Sequence, residues 1–180
     1  QTNELLMNDG TGSFNRVTDD DAVAFADKSV HALASDFDGD GDLDIYSLTD
    51  SGPHRLFLND GAGAFSACSD CLVEGTEGTT TGAVAADFDA DDDVDIYIIN
   101  GHFQRANEML INQGTSGRPV FSAVYTHTCT GNCDHVASRT SSDFTSTSSD
   151  VVAADFNADS YVDLFVVNND QANRGWNELL

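Results

Sequence analysis

Internal repetition sets the architectures open to this chain. Three segments align on a shared acidic centre: HALASDFDGDGDLDIYSLTD from His31, AVAADFDADDDVDIYIIN from Ala83 and VVAADFNADSYVDLFVVNND from Val151. A second block recurs around them, as NELLMNDGTGSF from Asn3, HRLFLNDGAGAF from His54, NEMLINQGTSGRPVF from Asn107 and a last NELL from Asn177. Self-similarity of this kind marks stacked supersecondary units, each too small to bury its apolar face alone.

Each acidic segment reads as strand, loop, strand, and each second block as strand, Asn/Gly turn, strand. In the first unit the strands end near Phe37, run from Asp44 to Thr49 and from Arg55 to Leu58, and fall around Ala64 to Ala67. Four short strands per unit is the content of a propeller blade. Apolar runs such as IYIIN and LFVVNN suit strands covered on both faces by neighbouring blades. The fold class predicted is therefore all-β, with blades of four antiparallel strands, about three and a half in this chain. The divisions are residues 1–18 (strands three and four of a partial blade), 19–72, 73–136, and 137–180 (a Ser/Thr-rich loop and an incomplete blade). The segment from Asp19 has room for a single helical turn. The Ser/Thr-rich ASRTSSDFTSTSSD from Ala137 reads as a surface loop.

The acidic centres carry the chemistry. In the first, Asp36, Asp38, Asp40 and Asp44 stand at relative positions 1, 3, 5 and 9, with Gly41 at position 6 and the backbone carbonyl of Asp42 at position 7. Alternate oxygens on a tight loop suit calcium, which takes about six to eight hard oxygen ligands. The second centre supplies Asp87, Asp89, Asp91 and Asp95 with Asp93 at position 7, and the third Asp155, Asn157, Asp159 and Asp163 with Tyr161 there. Three calcium sites are expected. Their affinity should fall in that order, because Asp92 and Ser160 replace the position-6 glycine and Asn157 removes a charge. Solvated Asp-rich turns are the alternative, outweighed by three loops in matching places. Magnesium keeps more water than such a loop allows, and a helical calcium hand would need a Glu where Ser47 stands.

The D-F-D-x-D-x-x-x-D-[IL]-[YF] centres, followed by N-E-x-L-x-N-x-G-x-x-x-F, resemble the FG-GAP and VCBS-type repeats, the calcium-binding blades also found in integrin α-subunit propellers. The resemblance covers most of the chain. It implies that Asp36, Asp38, Asp40, Asp42 and Asp44 and their counterparts bind calcium between the first two strands of each blade. It leaves partner and activity open, since such repeats occur in adhesion proteins, secreted surface proteins and enzyme appendages.

Composition narrows the function classes. With 31 acidic against 7 basic residues the net charge is -24, which argues against nucleic acid or anionic lipid as a partner. A 40% hydrophobic content allows a packed core. No apolar run reaches the roughly 20 residues of a membrane span. Cys68 with Cys71, and Cys129 with Cys133, form two close pairs that suit local disulfides in an oxidising, extracellular setting. The rival is one zinc site shared by both pairs, with His127 and His135 beside the second. The remaining histidines, His31, His54 and His102, show no ligand spacing. No nucleophile elbow, zincin helix or phosphate loop occurs, so no enzyme is expected. Tyr125 and Trp176 could stack on a sugar, although packing in strands explains both. No N-glycosylation sequon occurs, and the Ser/Thr stretch leaves room for O-linked glycans.

Two functional readings follow. One is an extracellular calcium-stabilised structural or adhesive module contacting surface proteins; the other is a calcium-dependent carbohydrate-binding module that takes glycans. Opening on Gln1, the chain reads as a processed product or a piece of a longer one. Asn177-Glu-Leu-Leu repeats Asn3-Glu-Leu-Leu, which suggests head-to-tail homo-oligomers, ring or filament, completed by strand addition. Closure by the remaining blades of a longer polypeptide is the alternative.

Overall fold

The computed structural model describes residues 2–50, 52–71, 80–101, 107–115, 117–125, 147–169 and 178–179. Within that range every element but one is a strand. β1 (Leu5–Asn8) and β2 (Phe14–Val17) form a hairpin, followed by the single helical turn α1 (Asp21–Ala24). β3 (Ser29–Ser35), β4 (Asp44–Thr49), β5 (Arg55–Asn59) and β6 (Phe65–Ala67) make an antiparallel sheet in chain order. β7 (Thr80–Ala86), β8 (Asp95–Asn100), β9 (Glu108–Asn112) and β10 (Phe121–Tyr125) make a second of the same order. β11 (Thr147–Ala154), β12 (Asp163–Asn169) and β13 (Glu178–Leu179) make a third. These are the blades the repeats predict, and each acidic centre lies in the turn from the first strand of a sheet to the second.

Register repeats as well as order. Ile45 faces Phe57 in the first sheet, Ile96 faces Leu110 in the second, and Phe165 faces Leu179 in the third, one place further along. The inner strands run side by side, β3 next to β7 and β7 next to β11. Two apolar clusters fill the seams. Phe37, Tyr46, Leu48 and Leu56 of the first sheet pack against Ile96, Ile98, Leu110 and Phe121 of the second. Tyr97, Ile99 and Met109 of the second pack against Val151, Leu164 and Val166 of the third. Alternate residues of β8 thus serve opposite seams, and all six are buried. That is why DIYIIN shows no polar alternation.

Polar residues latch the ends of the second and third strands. Asn107 Oδ1 accepts from the Asn100 N–H at 2.9 Å, while its Nδ2 donates to Ser148 Oγ of the next sheet at 3.0 Å. Asn3 Nδ2 makes the matching bond to Ser29 Oγ at 3.0 Å. In the first sheet His54 takes this place, its Nδ1 accepting from the Thr49 N–H at 3.1 Å; burial pulls its pKa down to about 4, so the ring stays neutral.

One expectation is corrected here. The Ser/Thr-rich stretch is not loop to its end, because Thr147–Asp150 form the start of β11 and Ser148 is buried. Its seam partner is the Asn107 amide, so a polar side chain is what that buried position requires. The segment from Asp19 does form a helical turn, with Asp20 as N-cap accepting from the Ala22 N–H. Asp20 and Asp21 also accept from the Phe65 and Ala67 N–H groups at 2.8 and 2.9 Å, covering the outer edge of β6. Among the described residues no helix is long and apolar enough to cross a membrane.

Candidate metal centre

The three acidic loops share one backbone frame. The first carboxylate of each accepts three N–H groups of its own loop: Asp36 from Gly39, Asp40 and Gly41 (2.8, 3.1 and 2.9 Å), Asp87 from Ala90, Asp91 and Asp92 (2.7, 3.2 and 3.0 Å), and Asp155 from Ala158, Asp159 and Ser160 (2.6, 3.2 and 2.9 Å). The fifth residue repeats the device, Asp40, Asp91 and Asp159 accepting from the N–H of Asp42, Asp93 and Tyr161. Each loop is thus folded around its own carboxylates, whose oxygens can accept further partners.

This winding needs two left-handed residues per loop. Gly39 and Gly41 have φ of 72° and 97°, Ala90 and Asp92 of 64° and 72°, and Ala158 and Ser160 of 63° and 74°. Position 6 was legible from Gly41; position 4 was not, because in two of the three loops an alanine stands there. A left-handed alanine costs roughly 1–2 kcal/mol, partly offset because glycine loses more freedom on folding. Ala158→Gly should therefore raise stability by about 0.5–1 kcal/mol in a denaturant melt. A loss of stability would mean that the fourth position is not left-handed.

The ninth residue does a different job. Asp44 is fully buried, with Oδ2 accepting from the Phe37 N–H and Oδ1 from the Asn59 N–H, each at 2.9 Å. Asp95 repeats both bonds with Phe88 and Asn112 at 2.8 Å, and Asp163 the first of them with Phe156 at 2.9 Å. This carboxylate clamps the loop to the third strand of its sheet. Its sequence spacing marks it as a ligand; its burial makes it equally a structural acceptor.

The asparagine ending the third strand of each of the first two sheets extends the clamp. Asn112 donates from Nδ2 to the Phe37 carbonyl at 3.0 Å, so the second sheet reaches the first acidic loop. Its Oδ1 accepts from Gly114 and Val120 at 3.1 Å each. The Gly117 N–H donates to the Asp38 carbonyl of the same loop. Asp42, expected to offer only a backbone carbonyl, also lays its carboxylate against Gly61, where a Cβ would meet Asp42 Oδ2 at 2.5 Å.

Two clusters able to hold a metal ion result. Ligand atoms of Asp36, Asp38 and Asp40 lie within 4.8 Å of one another, as do those of Asp87, Asp89 and Asp95. Asp42, Asp44, Asp91 and Asp93 fall outside these groupings, and the carboxylates of the third loop form no such group among the described residues. Electrostatics separates the loops in the same way. Burial raises the Asp38 pKa, reinforced by the Asp44 and Asp40 carboxylates, and burial with the Asp91 carboxylate raises that of Asp89. Burial lifts Asp44 and pushes Asp95 up to about 6, against the pull of their N–H donors. Asp155 is lowered instead, chiefly by the Ser160 N–H. The donor set is all hard oxygen and carries uncompensated negative charge, which a divalent cation fits.

Elsewhere, Cys68 and Cys71 form the expected disulfide, with Cα atoms 5.4 Å apart. That removes them from a zinc site. Cys129, Cys133, His102, His127, His135 and Trp176 lie outside the described residues, and of Tyr125 only the backbone is described.

No curated protein matches the chain. A match does come from a family model, that of the FG-GAP-like repeat, over residues 36–98. The matched stretch opens on Asp36, holds both carboxylate clusters and the clamps Asp44 and Asp95, and ends inside β8. The chain thus carries, over residues 36–98, an FG-GAP-like repeat.

Proposed function

We propose that the chain is an extracellular structural and adhesive module whose sheets are stabilised by calcium, with no catalytic role. The observation that carries this reading is the pair of carboxylate clusters set in one repeated backbone frame. Asp36, Asp38 and Asp40 would hold one cation, and Asp87, Asp89 and Asp95 a second. Asp155, Asn157, Asp159 and Asp163 would hold a third more weakly, since their frame is the same but their charge is lower. The bound cation supplies the positive charge that lets Asp38 and Asp95, the buried members of the two clusters, stay ionised. The carboxylates from which a hydrolytic pair would be drawn are committed to loop N–H groups, which favours a structural role. The Cys68–Cys71 disulfide supports an oxidising compartment.

Thermal melts in calcium against chelator test the reading. Extracellular loops of this kind bind at about 10⁻⁴–10⁻³ M, so about 10 mM calcium should stabilise each occupied site by roughly 1.4–2.7 kcal/mol, or several degrees. The pH dependence has a defined sign. Asp95, raised from 3.8 to about 6, holds its proton in the fold. The metal-free chain therefore loses stability as pH rises through that window, whereas cation binding must displace the proton. The gain from calcium should be larger at pH 7.5 than at pH 5. Melts indifferent to calcium at pH 7.5 would sink the proposal.

A further inference from the structure

The first acidic loop is built by one sheet and covered by the next. β9 ends on Asn112, and the turn after it reaches back over the first sheet at three points. Asn112 Nδ2 donates to the Phe37 carbonyl at 3.0 Å, the Gly117 N–H donates to the Asp38 carbonyl, and Arg118 Nη2 donates to Asp70 Oδ2 at 3.3 Å. Phe37 and Asp38 are the second and third residues of the loop, and Asp38 carries a carboxylate of the first cluster. Asp38 is only 8% exposed. The turn is itself tightly bonded: the Gln113 N–H donates to the Val120 carbonyl and the Arg118 N–H to the Thr115 carbonyl, each at 2.8 Å. Gly114 has no room for a side chain, since a Cβ there would lie 2.4 Å from the Arg118 carbonyl oxygen.

We propose that this turn, described at residues 112–115 and 117–120, positions the first cation site from the neighbouring sheet, so that calcium at Asp36, Asp38 and Asp40 and docking of the turn on the first sheet strengthen each other. The inference rests on the calcium reading and adds to it a control exerted across the first seam. Two physical effects act in the same direction. The bonds to the Phe37 and Asp38 carbonyls fix the backbone that carries the Asp38 carboxylate, which leaves less ordering for the cation to impose. Covering Asp38 also takes water from a carboxylate that has the Asp36 and Asp40 charges beside it. That desolvation opposes docking of the turn while the site is empty, and a bound cation offsets it. The coupling is reciprocal: the factor by which the turn tightens calcium is the factor by which calcium tightens the turn. Fixing the backbone of one residue corresponds to a factor of about 5–30 in affinity.

Residue-resolved hydrogen exchange of the full chain over a calcium series tests it, read separately on the first loop, the second loop and the Gly117 N–H. The expected result is that calcium slows exchange in residues 36–44 and at Gly117 with a shared midpoint. Asp38→Asn withdraws a charge from the first cluster but keeps the carbonyl that Gly117 bonds, so it should raise together the calcium needed to protect residues 36–44 and Gly117, with residues 87–95 unaffected. Gly114→Ala presses a Cβ on the Arg118 carbonyl and should move the midpoint of the first loop to about 5–30-fold higher calcium, again without moving the second. Should that variant fail to fold, Gly117→Val displaces the turn more gently: open space surrounds Gly117, but its φ of 83° disfavours a β-branched residue. Protection of residues 36–44 by calcium with Gly117 exchange unchanged overturns the proposal and leaves the calcium reading intact, as do equal midpoint shifts in both loops. Loops whose exchange ignores calcium overturn both.

Discussion

Replacing Asp95 with alanine is expected to destabilise the metal-free protein by about 3 kcal/mol, within a range of roughly 2–5 kcal/mol, more than any other loop aspartate of its sheet. Asp95 has no exposed surface, and its two oxygens satisfy the Phe88 and Asn112 N–H groups. Alanine leaves both donors without an acceptor, at about 1–3 kcal/mol for each buried orphan, while relieving the burial penalty of the carboxylate itself. Asp95→Asn keeps one acceptor and should lose about half as much. Asp91→Ala removes an exposed carboxylate and should leave the metal-free melt nearly unchanged. Denaturant melts in chelator rank the three. Equal costs for Asp91→Ala and Asp95→Ala would show that Asp95 is only another loop charge and not a clamp.

Asn112→Ala should cost about 2–4 kcal/mol and should loosen a loop in the neighbouring sheet. Its amide bonds the Phe37 carbonyl across the seam and the Gly114 and Val120 N–H groups within its own turn. Asn59 holds the same place in the first sheet, but its Nδ2 reaches only the Leu43 carbonyl of that sheet, and it is more exposed. Asn59→Ala should therefore cost less, near 1 kcal/mol, with no effect across the first seam. Hydrogen exchange of residues 29–49 reads the difference. Faster exchange there in Asn112→Ala, at constant rates in β12, is the expected pattern. Uniform acceleration over all three sheets would mean that the bond to Phe37 carries no local coupling.

Features that depend only on neighbours in the chain were legible from the residues alone. Strand limits such as Asp44–Thr49 follow from an apolar run bounded by acidic and Gly-rich turns, and the spacing of Asp36, Asp38 and Asp40 already says that alternate oxygens can converge. Repetition then supplied the sheet order, because three copies of one local pattern have one packing solution in common. Residues whose roles depend on distant partners were not legible. Asp44 and Asp95 look like any other loop carboxylate until the sheet buries them against an N–H group 15 or 17 residues away. Asn112 reads as a turn residue until the seam brings the Phe37 carbonyl, 75 residues away, to its amide. Ser148 resembles the loop before it because its buried partner is polar, and a hydrophobicity pattern registers only apolar burial. Local composition specifies turns and strands through backbone preference. Which carboxylate is an open ligand and which a buried clamp is decided by desolvation, and only the packed sheets determine what water can reach.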